Sequence, residues 1–306
     1  MTAVTRVGFI GLGMMGLPML CNLARHRGLE ISAFDTSDAP FEHLKKLEAW
    51  GVTLARASSL KDLGGCQYVI TMLPDSSITN QILLGDETEG LCDYLAKGAV
   101  IVDMGSSDPA ETLRLLPILQ ARGIELIDAP VSGAAAKARS AELAIMVGGD
   151  AETVERLRPI LSHMGQKLIA TGKPGAAHAM KALNNYVYAA GLLAASEALG
   201  IVEKMSLDGA IFIDVLNASS GRNVATETKL KQFLLPRSYA GGFALKLQAK
   251  DLRLADGLRK LNECNAPQLA LCNALWQEAL HRLPAGADNT AIHQFLTSGV
   301  SAKDTK

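Results

Sequence analysis

Aromatic side chains are scarce in this chain, 5% of 306 residues, and no block of one charge sign appears. Lys plus Arg number 30 against 31 Asp plus Glu, a formal net charge of −1. Without a basic stripe the chain lacks the electrostatic footprint of a nucleic-acid binder. The five cysteines (Cys21, Cys66, Cys92, Cys264 and Cys272) are scattered, odd in number and form no C-x-x-C pair. That excludes a disulfide framework and leaves free thiols in a reducing compartment, expected to be the cytoplasm. The six histidines (His26, His43, His163, His178, His281 and His293) show no ligand spacing, so no metal site is expected. The longest nearly apolar stretch, Tyr186–Val202, carries Glu197 and is short for a bilayer span, so it reads as a buried helix and no membrane contact is expected. The N-terminus is expected to belong to the fold, because a glycine motif begins before a signal peptide could fit.

What is present is ordinary globular material. Apolar residues make up 48% of the chain and charged residues 20%, enough for a large core in roughly two domains. The first half alternates short apolar runs with helical patterns. "RVGFIG" (Arg6–Gly11), "EISAFD" (Glu30–Asp35), "YVITMLP" (Tyr68–Pro74), "AVIVDMG" (Ala99–Gly105), "IELIDAP" (Ile124–Pro130) and "AELAIMVGG" (Ala141–Gly149) read as strands. Near-continuous apolar strands separated by helices predict an α/β, doubly wound parallel sheet covered on both faces. After about residue 165 the pattern turns helical. Gly175–Met205 could be one long helix, apolar nearly all round, and such a helix is buried in a core or against another subunit. Further helices are predicted near Asp208–Leu216, Ala225–Phe233, Leu245–Lys260 and Gln268–Leu280, and the terminal "SAKDTK" is expected to fray. These patterns divide the chain into residues 1–165, an α/β domain, and 166–306, an all-helical domain.

One stretch carries chemistry. "VGFIGLGMMGLPM" (Val7–Met19) sets Gly11, Gly13 and Gly16 between a strand and a helix, with Leu12, Met14 and Met15 in the intervening positions. Asp35 closes the next strand roughly twenty residues on. Gly11 permits the tight turn, Gly13 lets the backbone approach a pyrophosphate, and Gly16 lets helix pack on strand. The helix start offers N–H groups and a positive dipole end to phosphates. Asp35 would accept hydrogen bonds from the adenosine ribose and repel a 2′-phosphate. The following "TSDAP" supplies no Arg to reverse that preference, so the expected cofactor is NAD, with NADP the lesser candidate. A structural glycine-rich turn with a solvated Asp35 is the plainer alternative.

With that loop, "DAPVSGAAAKARSAELAIMVGG" and "GAAHAMKALNN" follow in order, and together the three motifs resemble the β-hydroxyacid dehydrogenase family. It includes 3-hydroxyisobutyrate dehydrogenases and 2-hydroxy-3-oxopropionate reductases and is related to 6-phosphogluconate dehydrogenases. The resemblance spans essentially the whole chain. It implies a Rossmann domain joined by a long helix to an all-α domain, an active site in the cleft between them, and a homodimer or homotetramer. It also implies NAD-dependent oxidation of a small β-hydroxy acid to the semialdehyde. Two other functions stay open: an NADPH-dependent semialdehyde reductase and a non-catalytic NAD-binding regulator.

The resemblance assigns site residues. In "DAPVSG" the Ser132 hydroxyl and nearby N–H groups can form an anion-binding concavity, though a Ser there can equally cap a turn. In the family this segment holds the substrate carboxylate through Ser132 and Gly133. The family usually has a second glycine where this chain has Ala134, whose methyl group narrows or re-angles the loop. Lys181 is the only Lys or Arg between Lys173 and Lys204, with Asn185 four residues on along the same helix face. Most helical lysines are solvated, but on so apolar a helix an ammonium group faces a cleft, where burial would lower its pKa toward proton transfer. The family's K-x-x-x-N pattern makes Lys181 the catalytic lysine and Asn185 its substrate-orienting partner. By resemblance "SSGR" brings Arg222 toward the distal end of the substrate, Phe243 packs near the nicotinamide, and Lys250, steadied by Asp251, reaches the cofactor. Leu73, Pro74 and Ser106, at strand ends on the carboxyl edge, complete the expected cofactor contacts.

Overall fold

The computed structural model describes residues 4–26, 28–48 and 54–298; the terminal segment expected to fray lies outside them. The chain forms two compact units, Met1–Lys181 and Ala182–Lys306.

The first unit alternates strand and helix through β1 (Thr5–Ile10), α1 (Gly16–Ala24), β2 (Leu29–Phe34), α2 (Ala39–Glu48), β3 (Leu54–Arg56), β4 (Tyr68–Thr71) and α3 (Ser76–Leu84). It continues through β5 (Val100–Asp103), α4 (Pro109–Ala121), β6 (Glu125–Asp128), β7 (Val131–Ser132), α5 (Ala134–Arg139), β8 (Ala144–Gly148), α6 (Ala151–Leu161) and β9 (Lys167–Gly172). The sheet order is β3-β2-β1-β4-β5-β6-β8-β7, with β9 on β8. The first six strands are parallel, and the order reverses between β1 and β4, the switch point at which open α/β sheets bind ligands.

Its central strands β1, β4, β5 and β6 are buried on both faces. Met19, Leu20, Phe41 and Leu157 from α1, α2 and α6 cover one side, and Leu83, Leu115 and Leu119 from α3 and α4 cover the other. Asp75, Asp108 and Asp150 cap α3, α4 and α6 by accepting first-turn backbone N–H groups.

One expectation needs correction. The Ala141–Gly149 run does form a strand, β8, but it runs antiparallel to β6 and β7. Only the six-residue α5 and short turns lie between β7 and β8, too little for the crossover that parallel neighbours require. The parallel mode resumes at β8–β9.

α7 (Ala176–Lys204) is one 29-residue helix that begins in the first unit and continues through the second. By length and composition it could cross a bilayer, yet half of its most apolar window is buried in the fold. Ala189, Leu192 and Leu199 lie in the second unit's core, whereas Val187 is 69% exposed. The second unit continues with α8 (Gly209–Ala218), a π-helical segment (Thr226–Leu234), α9 (Leu245–Leu261), α10 (Pro267–Arg282) and α11 (Ile292–Thr297) around the buried Trp276. The segment predicted as an ordinary helix near Ala225–Phe233 is wound more loosely, as the i→i+5 bond from Leu235 N–H to the Leu230 carbonyl shows.

Candidate active site

The glycine loop joins β1 to α1. Gly11 has φ +93°, and a Cβ there would lie 2.4 Å from the Met72 carbonyl oxygen. A Cβ on Gly16 would lie 1.9 Å from the Gly11 carbonyl oxygen, so neither position can carry a side chain. A Cβ on Gly13 would meet nothing within 4 Å, which leaves open space on the outer side of the loop. No side chain caps the start of α1 and its first turn holds no carboxylate; there the Leu17 N–H donates to the Gly13 carbonyl at 3.1 Å and Pro18 has no N–H, so the space is met by the remaining N–H groups of the loop and helix start. Phosphate oxygens fit such a site.

Asp35 ties the loop to β2. Its Oδ2 accepts the Leu12 N–H at 2.6 Å and its Oδ1 accepts the Ser37 N–H at 2.8 Å. A carboxylate has about four lone-pair sites, so it can still accept ribose hydroxyls. Loop, acid and open space therefore fit a dinucleotide. Met14 and Gly13 are exposed and Leu12 is buried beneath them. Leu73 and Pro74 follow β4, and a Cβ on Gly105 would approach the Leu73 carbonyl oxygen at 2.9 Å. The glycine loop, Leu73 and the Gly105–Ser106 turn thus form one contiguous rim on the carboxyl edge of the sheet.

Two further strand-end aspartates, unmarked by the sequence reading, organise the next part of that edge. Asp103 ends β5, is buried, and accepts from Thr71 Oγ1 (3.1 Å), Gly105 N–H (3.1 Å) and Ser107 Oγ (2.6 Å). These bonds fix the turn that carries Ser106. Asp128, its register partner on β6, accepts Gly175 N–H through Oδ1 and His178 N–H through Oδ2, each at 2.9 Å. It thus caps α7 from another element. Burial pushes the Asp128 carboxyl above its usual range, while the nearby His178 and the backbone donors pull it down. The buried His178 ring meets Thr112 Oγ1 through Nδ1 at 2.8 Å. His178 thus ties α4 to α7. The sequence signal was an acid just after each apolar run: "AFD", "IVD" and "LID" have the same form, and only the first is read by the glycine-loop rule.

Ser132 lies at the end of β7, paired with Ala144, and is half-buried; Gly133 has φ +142°. Ala134 is in the left-handed region at φ +54°, the conformation that explains a glycine at this place. Lys181 is half-buried on α7, and Asn185, one turn on, is buried. The Asn185 amide donates to Asp251 Oδ2 at 2.5 Å, and its Oδ1 accepts from Asn184 at 3.1 Å. Gln248 Nε2 donates to the Asn185 carbonyl at 3.2 Å, so α9 is stitched to α7 at this turn. Lys250 Nζ lies 3.7 Å from Asp251 Oδ1. Phe243 is half-buried, and its N–H donates to Asp288 Oδ2 at 2.9 Å. Arg222 is exposed and paired with Glu227 at 2.5 Å.

Among the described residues no group of three or more His, Cys, Asp or Glu could hold a metal ion. All five cysteines are free thiols. Burial pushes Cys92 up to about 11 and Cys272 up to about 12, which leaves both unfit as nucleophiles.

The chain matches the family model described as the NAD binding domain of 6-phosphogluconate dehydrogenase over residues 6–172. Over residues 175–296 it matches the one described as NAD-binding of NADP-dependent 3-hydroxyisobutyrate dehydrogenase. It is 34% identical over 272 residues to a 2-(hydroxymethyl)glutarate dehydrogenase of Eubacterium barkeri, covering 89% of this chain and 88% of the relative. It is 31% identical over 297 residues to an NAD-dependent L-serine dehydrogenase of Pseudomonas aeruginosa, covering 95% and 97%. A solved Mycobacterium tuberculosis 3-hydroxyisobutyrate dehydrogenase with L-serine matches with a TM-score of 0.83 at 27% identity, covering 96% of this chain and 99% of that one.

Proposed function

The chain belongs to the β-hydroxyacid dehydrogenase family, NAD(P)-dependent oxidoreductases of small hydroxy acids, and on that premise we propose that it oxidises the alcohol of a 3-hydroxyisobutyrate-like acid to the semialdehyde with NAD. The observation that carries this reading is the anchoring of α7. Asp128 pins the helix start to the carboxyl edge of β6, and Lys181 follows His178 by three residues, about one turn. The helix therefore presents a half-buried amine close to the edge where the cofactor loops end.

The N–H groups at the start of α1 hold the pyrophosphate, and Asp35 holds the adenosine ribose hydroxyls. Leu73, Pro74 and Ser106 line the rim beyond them, with Phe243 and Lys250 as further cofactor contacts. The Ser132 hydroxyl and the Gly133 N–H donate to the substrate carboxylate. Lys181 Nζ takes the proton of the alcohol O–H, and in the reverse direction returns it to the forming alkoxide. When bound, the nicotinamide supplies the acceptor for the hydride that leaves the carbinol carbon. Asn185, held by Asp251, orients the hydroxyl, and Arg222 meets a second acid group on longer substrates. Apolar side chains left exposed on α7 and α8, such as Val187, Ile211 and Val215, support a homo-oligomer.

The test is NADH formation at 340 nm with a panel of short β-hydroxy acids, NAD and NADP side by side. The enzyme is expected to turn over at least one such acid with NAD. Lys181→Ala is expected to lower kcat by about 10²–10⁴-fold while NADH binding, followed by fluorescence, is retained. Turnover by Lys181→Ala at the parent rate would refute the role of the lysine, and silence across the panel alongside tight NAD binding would favour a regulator.

A further inference from the structure

Arg56 lies 21 residues beyond Asp35 in sequence, yet the sheet places it beside the segment that follows Asp35. It closes β3, the strand next to β2, in register with Ala33; the following Ala57 N–H donates to the Ala33 carbonyl at 2.8 Å. Asp35 lies two residues past Ala33. Between β2 and α2 the chain turns tightly: Ser37 N–H donates to Asp35 Oδ1 at 2.8 Å, and Ala39 N–H donates to Ser37 Oγ at 3.3 Å. Asp38 sits in this turn and is ion-paired with the Arg56 guanidinium. The guanidinium lies over the Phe41 ring, 4.3 Å from its centroid, and Phe41 is buried. The two charged side chains remain open to solvent, 50% exposed for Arg56 and 82% for Asp38.

The turn thus holds two carboxylates and one guanidinium at the edge where the adenosine end of the dinucleotide is read. NAD and NADP differ there at one position, the 2′-hydroxyl or the 2′-phosphate. Asp35 suits the hydroxyl and opposes the phosphate. A guanidinium is the group that suits a phosphate, through a planar fork of N–H donors. Stacking on Phe41 fixes the plane of that fork, and pairing with Asp38 engages one of its nitrogens and cancels its charge.

We propose that Asp38 and Arg56 form, with Asp35, the device that sets cofactor choice: Asp38 neutralises an arginine that would otherwise take the 2′-phosphate. The assignment deepens the NAD reading and rests on Asp35 as the ribose acceptor. Removal of Asp38 alone frees the cation but leaves Asp35 opposing the phosphate. Removal of both carboxylates leaves a phosphate site built around Arg56.

The experiment measures NADH and NADPH dissociation constants by fluorescence at fixed salt for the parent, Asp35→Ser, Asp38→Asn, the double variant, and the double variant carrying Arg56→Ala or Arg56→Lys. Circular dichroism confirms that each is folded. The parent is expected to favour NADH. The double variant is expected to bind NADPH about tenfold more tightly than the parent does. Arg56→Ala in that background should abolish the gain, and Arg56→Lys should keep part of it. An NADPH affinity that is indifferent to Arg56→Ala in the double variant overturns the proposal. An Asp35→Ser variant with the parent's NADH affinity and selectivity would instead refute the ribose-acceptor reading, whatever Arg56 does.

Discussion

Ala134 is a non-glycine residue held at φ +54°, and the left-handed region costs a Cβ-bearing residue roughly 1–2 kcal/mol. Part of that cost is offset because glycine loses more backbone entropy on folding. Ala134→Gly is therefore expected to stabilise the protein by about 0.5–1 kcal/mol, read as a higher urea midpoint with an unchanged slope. A destabilised variant would show that the turn tolerates the methyl group without strain. Residue-scale legibility follows the same division between local and long-range causes. The glycine loop and Asp35 could be read because their spacing is set by one strand–turn–helix unit, within which Gly16 has no room for a methyl group. Arg56 could not, because its place beside Asp38 arises from β2–β3 pairing, which leaves no mark in either local sequence. Arg222 was legible as a charge, but its pairing with Glu227 was not. If Arg222 meets a second acid group, Arg222→Ala should raise KM for substrates carrying one and leave neutral-tailed acids unaffected in the same steady-state assay.

At the scale of elements, the start of α7 depends on a carboxylate contributed by β6. An amide at position 128 replaces one of two acceptors with a donor facing a backbone N–H. A buried donor left unsatisfied costs about 1–3 kcal/mol. Asp128→Asn is expected to lower stability by that amount and also to lower kcat, because the helix that carries Lys181 loses its anchor; NADH affinity should stay near the parent value. Loss of stability with an unaltered kcat would reduce Asp128 to a purely structural cap. Among the strands that sequence made legible, β1, β4, β5 and β6 are continuous apolar runs buried on both faces. β9 was missed because most of its residues are exposed, so "KLIATG" carries no apolar run. β3 was missed because three residues are too few for a period. The antiparallel course of β8 was missed because strand direction depends on the preceding connection, which apolar content does not report.

For the whole molecule, acid stability follows from one histidine in each unit. Burial lowers the pKa of His163 in the first unit, aided by the stacked ring of His26 at 3.3 Å. Burial also lowers that of His293 in the second, against the opposing pull of Glu203. A folded-state pKa below the unfolded one means that the unfolded chain takes up the proton first. Stability is then intact above about pH 6.5 and falls as pH drops below it. The unfolding temperature is expected to be lower at pH 5.5 than at pH 7.5, with a shallower slope in His163→Gln; a flat profile would count against both assignments. The boundary between the two units, finally, falls inside α7 rather than in a loop. A protease that needs an extended strip of chain finds none at that junction, so brief digestion should not release the halves. A truncation ending at Lys181 would leave a stub of six helical residues, far below the roughly 12–15 at which a helix holds by itself in water. Split-protein reassembly or domain exchange between relatives would therefore have to carry α7 whole.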